Sequence, residues 1–118
     1  MTLRVLVVDD DADLRFLLRM ALDRAGQSIV VAEATNGREA IDAAAEHSPD
    51  VIVLDQSMPV MTGLEAIPEL REAAPDARIV MYSAYAQTDQ RASFEALADA
   101  VLAKGGPLED LVAVVSLA

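Results

Sequence analysis

Apolar residues along this chain fall into two alternating patterns. Leu3-Arg4-Val5-Leu6-Val7-Val8, Ile29 to Ala34, Val51-Ile52-Val53-Leu54, Arg78 to Tyr82 and Ala100 to Ala103 are short runs, mostly rich in β-branched residues. Runs of this length predict strands buried on both faces. Between them, apolar residues return at the spacing of a helix face. Leu14, Leu17, Leu18, Ala21, Leu22 and Ala25 mark the first helix; Ala40, Ile41, Ala44 and Ala45 the second; Gly63, Ala66, Ile67, Leu70, Ala73 and Ala74 the third. Residues Gln87 to Leu97 predict a fourth helix anchored by Phe94 and Leu97, and Leu108, Leu111, Val112 and Val115 a fifth.

The punctuation agrees with these elements. Asp11 is placed to cap the first helix and Gly26 to stop it. Asn36 with Glu39 has the spacing of a capping pair. Pro68 is expected in or just past the first turn of the third helix, where a missing N–H costs little. Strict alternation of five strands and five helices implies right-handed crossovers and a parallel sheet covered on both faces, an α/β doubly wound fold. With 118 residues and no repeat or linker, the chain predicts a single domain over 1–118.

Composition narrows the function. Twenty acidic residues against nine basic ones give a formal charge of −11. Such a surface repels phosphate backbones and anionic lipid, which argues against direct nucleic-acid binding by this segment and against a membrane role. No apolar run approaches the ~18 residues of a membrane span. The absence of cysteine removes disulfide, thiolate and redox chemistry. A cytoplasmic location is the default expectation. The basic residues are eight arginines and one lysine, Lys104.

The chemistry gathers at the strand ends. In a parallel sheet all C-terminal strand ends share one edge, where ligands bind. Four of the five strands end in polar groups: Asp9-Asp10, Asp55, Ser83 and Lys104. Taken alone, Asp55 is either a helix cap or a chemical group, Ser83 a turn residue and Lys104 a surface lysine. Together they are three carboxylates, a hydroxyl and the one ammonium side chain. Two like charges ~4 Å apart cost about 4 kcal/mol at an effective dielectric of 20. A cation relieves that repulsion, and an all-oxygen set suits Mg²⁺, which leaves positions open for phosphate oxygens. One carboxylate could then act as a nucleophile on a phosphoryl group.

The segments VLVVDDDADLR, VLDQSMPVMTGLE, MYSAY and LAKGGP, in this order, closely resemble the receiver domains of two-component response regulators. The resemblance covers essentially the whole chain. It implies the flavodoxin-like sheet order 2-1-3-4-5 and a phosphorelay function, in which Asp55 accepts a phosphoryl group from a sensor histidine kinase or phosphotransfer protein. Asp10 corresponds to the direct Mg²⁺ ligand, Asp9 to one acting through water, and the Ser57 backbone carbonyl to the third protein ligand. Ser83 corresponds to the hydroxyl that turns onto the phosphoryl group. Lys104 corresponds to the lysine that pairs with the phosphoryl group or, without it, with the aspartate. Family members also catalyse their own aspartyl phosphorylation and dephosphorylation, so the label of enzyme is a convention. No output domain lies in this chain, which leaves a stand-alone switch, a homodimer or a separate effector domain open.

Two departures stand out. Gly105-Gly106 separates Lys104 from Pro107, where many receivers place proline directly after the lysine. Val101 stands where many carry the Tyr or Phe that swings inward and switches the face built by the fourth helix, fifth strand and fifth helix. The signal is therefore expected to travel through the loop after Ser83 and the fourth helix, with Tyr85 involved. Leu97, commonly glycine, reads as a packing change. The competing reading is a pseudo-receiver that binds protein without turning over phosphate; the full set of five side chains argues against it. A flavin-binding fold would want a hydroxyl- and glycine-rich loop after the first strand, and DDDAD is the opposite.

Overall fold

The computed structural model describes residues 2–86 and 88–117. Its strands are β1 (Leu3–Val8), β2 (Ser28–Ala34), β3 (Val51–Leu54), β4 (Arg78–Ser83) and β5 (Ala100–Ala103). Its helices are α1 (Ala12–Ala25), α2 (Gly37–His47), α3 (Gly63–Ala73), α4 (Arg91–Leu97) and α5 (Leu108–Ser116). The strands form one sheet in the order β2-β1-β3-β4-β5, every neighbouring pair parallel. This is the flavodoxin-like order, and the expected fold holds.

The two-residue period of each strand sends alternate side chains to opposite faces. Leu6, Val8, Ile52, Leu54, Ile79 and Met81 face one layer with Ala40, Ile41, Ala66, Ile67, Leu70 and Phe94. Val5, Val7, Val51, Val53, Val80 and Tyr82 face the other with Leu18, Leu22, Leu111 and Val115. Helices α2, α3 and α4 therefore cover one side, and α1 and α5 the other. No helix among the described residues is long and apolar enough to cross a membrane.

Helix ends follow local chemistry. The Asp11 carboxylate accepts from the Asp13 and Leu14 amides, and Gly26 closes α1 at φ 78°. Asn36 caps α2 by accepting from Glu39 N, but the Glu39 carboxylate reaches back to Thr35, whose N–H and hydroxyl both donate to it. A reciprocal capping box forms instead at α3, between Thr62 and Glu65. Pro68 lies inside α3, at its sixth residue and deeper than expected. Its missing N–H there removes the bond that the Leu64 carbonyl would accept.

The fourth helix differs most from expectation. It begins at Arg91 and has seven residues; Gln87 lies outside the described residues. Thr88 to Gln90 are held in turns, because the Thr88 hydroxyl donates to Tyr85 O and accepts from Gln90 N. Phe94 anchors the helix and is fully buried, whereas Leu97 is 44% exposed and is not a packing residue. The α1 stripe is narrower than its sequence pattern: Leu18 and Leu22 are buried, while Leu17 and Ala25 face solvent.

Candidate functional site

The C-terminal edge of the sheet brings the strand-end groups together because β1, β3, β4 and β5 are in parallel register there. The Asp55 amide donates to Val8 O at 3.0 Å, and the Lys104 amide donates to Ser83 O at 3.0 Å. Backbone pairing thus continues one residue past the strands and sets Asp9, Asp55, Ser83 and Lys104 along a single edge. Asp9, Asp55 and Ser83 are buried, and Asp10 is exposed.

Asp9 is held at every polar atom. Its amide donates to Ala34 O, its carbonyl accepts from Arg15 Nη1 at 2.8 Å, and its Oδ1 accepts from the Asp11 amide at 2.9 Å. Its Oδ2 accepts from Lys104 Nζ at 2.7 Å. Asp55 Oδ1 accepts from the Gln56 amide at 2.9 Å and lies 3.2 Å from the same Nζ. Lys104 is therefore shared between two carboxylates and sits closer to Asp9, whereas the family resemblance implies pairing with Asp55.

Electrostatics follow from this packing. Burial pushes the Asp55 carboxyl above its ordinary range, and the neighbouring Asp9 adds to the rise against the opposing pull of Lys104. Burial pulls the Lys104 ammonium down, but Asp9 and Asp55 together outweigh it and hold the group above its usual value. Carboxylate oxygens of Asp9, Asp10 and Asp55 all lie within 4.8 Å of one another. Three oxygen ligands at this spacing, one of them exposed, could hold a hard divalent cation and leave it room for further oxygens.

The other two predicted site residues differ in exposure, Ser83 being fully buried and Ser57 exposed. The Ser83 hydroxyl accepts from the Tyr85 amide at 3.0 Å, so its own proton remains free to donate. Ser57 is exposed, and no hydrogen bond joins it to the carboxylates among the described residues. His47 lies at the end of α2, at the opposite end of the sheet, where its carbonyl accepts from Arg4.

A family model, the response regulator receiver domain, matches residues 5–116. The chain belongs to the receiver-domain family. Thermotoga maritima chemotaxis protein CheY is 44% identical over 84 residues, covering 71% of this chain and 69% of that one. The response regulator MprA of Mycolicibacterium vanbaalenii is 41% identical over 96% of this chain, which spans only 48% of MprA. Among solved structures, the response regulator domain of Thermotoga maritima CheB superposes with TM-score 0.89 at 29% identity, covering 100% of this chain and 96% of that one. Membership supports phosphorelay signalling as the general function of this receiver domain.

Three further residues shape the site: Gly63 already stands in the family-like segment after Asp55, whereas Gln56 and Arg15 carry no mark of their roles in the sequence. Gln56 donates its amide to the Asp55 carboxylate and meets the start of α3 with its side chain. Arg15 holds the Asp9 carbonyl while its Nε pairs with Glu33 of β2 at 2.9 Å, tying α1 to the sheet edge. Gly63 is the third: a Cβ there would overlap the Asp55 carbonyl oxygen, so α3 abuts the strand end through bare backbone. The Thr-x-x-Glu spacing of Thr62 and Glu65 is a readable signal for where α3 starts. Nothing local marks the long-range bonds of Gln56 and Arg15.

Proposed function

We propose that this receiver domain is a phosphorelay switch whose phosphoacceptor is Asp55. The observation that carries the reading is the Lys104 ammonium, 2.7 Å from Asp9 and 3.2 Å from Asp55 on the sheet edge, with Asp10 beside them. The donor is a phosphohistidine on a sensor kinase or phosphotransfer protein. An Asp55 carboxylate oxygen attacks phosphorus, the P–N bond to the donor imidazole breaks, and its electron pair stays on the imidazole nitrogen. The residues present fit Mg²⁺: Asp10 and Asp55 would hold it directly with the Ser57 carbonyl, and Asp9 would act through water. When bound, Mg²⁺ neutralises charge on the phosphoryl oxygens. Lys104 is then free to leave Asp55 and pair with the phosphoryl group, while Ser83 donates its hydroxyl proton to another oxygen. Buried carboxylates that repel one another make the site a poor resting place for charge without a cation, which favours metal uptake.

The route outward runs through backbone. The Ser83 hydroxyl accepts from Tyr85 N, the Tyr85 carbonyl accepts from Thr88, and Arg91 at the start of α4 donates to Ala86 O. A turn of Ser83 toward the phosphoryl group would release Tyr85 N and shift this loop, altering the face made by α4, β5 and α5. Incubation with Mg²⁺ and acetyl phosphate, or with beryllium fluoride, tests the chemistry. Wild type should gain a hydroxylamine-labile phosphoryl group or bind the mimic, and Asp55→Asn should do neither. A wild type that does neither is a protein-binding module, and the proposal falls.

A further inference from the structure

We propose that Gln56 is a positioning residue that braces Asp55 and Ser57 against the start of α3. A helix leaves its first four N–H groups without intrahelical partners. In α3 all four are satisfied, and Gln56 supplies two of the acceptors. The Gly63 amide donates to the Gln56 carbonyl at 3.1 Å, and the Leu64 amide donates to its side-chain Oε1 at 2.8 Å. The Thr62–Glu65 capping box takes the other two, through Thr62 N and Glu65 N.

On its other side, Gln56 faces the phosphoacceptor: its amide donates to Asp55 Oδ1 at 2.9 Å. One residue therefore joins the α3 N-terminus to the carboxylate oxygen that also contacts Lys104. The missing Cβ of Gly63 lets the helix start meet the Asp55 carbonyl, so the two residues are braced from the same direction. Ser57 follows Gln56 directly, and the position of its carbonyl is inherited from the anchored Gln56 peptide. Leu64 lies eight residues on, so the side-chain bond fixes the span of the whole β3–α3 loop.

This inference rests on the metal-dependent reading above, and its test separates the two. Gln56→Leu keeps the side-chain bulk and removes the acceptor. Thr62→Ala weakens the same helix start through the capping box without touching Gln56. Mg²⁺ affinity is measured by calorimetry on both variants and wild type, with melting temperature and Leu64 amide exchange as readouts independent of activity. Both variants should melt lower. Gln56→Leu alone should weaken Mg²⁺ binding, by about tenfold as for residues that orient metal ligands, and should alone speed exchange at Leu64. Equal Mg²⁺ affinities in the two variants, or an unchanged affinity in Gln56→Leu, would overturn the positioning role while leaving the proposed function standing. Wild type that binds no Mg²⁺ would overturn both.

Discussion

Lys104 bonds Asp9 more tightly than Asp55: Nζ is 2.7 Å from Asp9 Oδ2 and 3.2 Å from Asp55 Oδ1. The ammonium acts as a resident counter-ion for two buried acids. Removing one partner of a buried pair costs about 3–5 kcal/mol, and the partial exposure of Lys104 puts this case near the lower end. Lys104→Met should lower the melting temperature of metal-free protein by about 10 °C. Mg²⁺ should restore part of the loss by taking over the neutralisation. Because the folded value of Lys104 is raised, its contribution is full below the ordinary lysine range and disappears as pH rises through the folded value. The wild-type advantage over Lys104→Met, followed by thermal melts across pH, should therefore hold at neutral pH and shrink only in strong alkali.

Asp55 behaves in the opposite way. Burial and the charge on Asp9 raise its folded value, so holding the ionised form costs stability. Asp55→Asn should raise the melting temperature of metal-free protein at pH 7. The gain should fade as pH falls through the raised value and vanish below the unfolded carboxylate range, where Asp55 is neutral in both states. Asp10 is exposed and screened by water, so Asp10→Asn should gain less. Equal gains at pH 7 would contradict the burial argument.

Gly63 and Gly37 offer a controlled comparison. A Cβ on Gly63 would overlap backbone at Asp55, which cannot yield without moving the acceptor. A Cβ on Gly37 would meet Met61 Cγ at 2.7 Å and the Cβ atoms of Ala66 and Met61 at 3.0 Å, side-chain atoms far from the carboxylates. Gly63→Ala should cost about 2–3 kcal/mol, the upper part of the overpacking range, and weaken Mg²⁺ binding as well. Gly37→Ala should cost about 1–2 kcal/mol, the lower part of that range, because the α2–α3 contact must open slightly, and should leave Mg²⁺ binding unchanged. Denaturant melts with a Mg²⁺ titration of each variant distinguish the two.

The fold is legible in the sequence because buried parallel strands read as unbroken apolar runs, as in Val51 to Leu54, and because Asp11 and Gly26 mark helix ends by local chemistry. The clustering of the candidate site residues is legible for the same reason: once the strands are placed, their C-terminal residues share an edge. What escapes depends on distance along the chain. The bond between Gln56 and Leu64 exists only because the β3–α3 loop doubles back. Lys104 contacts Asp9 at a separation of 95 positions, and no spacing rule ranks that acid above Asp55. The α4 boundary departs from the apolar pattern because Thr88 diverts backbone groups into a turn, a local competition with helix formation that periodicity does not register. Leu97 fits the helical stripe yet points outward, because a seven-residue helix makes fewer than two turns on which a stripe can be averaged.

The proposed loop route, set against Val101, gives the last prediction. Val101 is half-buried and borders a groove of about 160 Å³ lined by Arg91, Glu95, Ala98 and Asp99. A valine fixed in a strand has one χ angle and no ring to exchange between the groove and solvent. The α4–β5 turn beside it is also pinned, since Asp99 accepts from Ile79 N at 2.8 Å and from Arg71 at 2.9 Å. Movement is thus left to the other end of α4, where the start of the helix has no side-chain cap and Tyr85 lies exposed on the preceding loop. With beryllium fluoride and Mg²⁺ added, amide resonances of Arg91 to Leu97 should shift in wild type and in Val101→Ala alike. Thr88→Val, which removes the hydroxyl that ties the Tyr85 carbonyl to the start of α4, should lose most of that shift while still binding the mimic. If Val101→Ala abolished the α4 shifts and Thr88→Val preserved them, the signal would run through the strand side chain, and the loop route would be excluded.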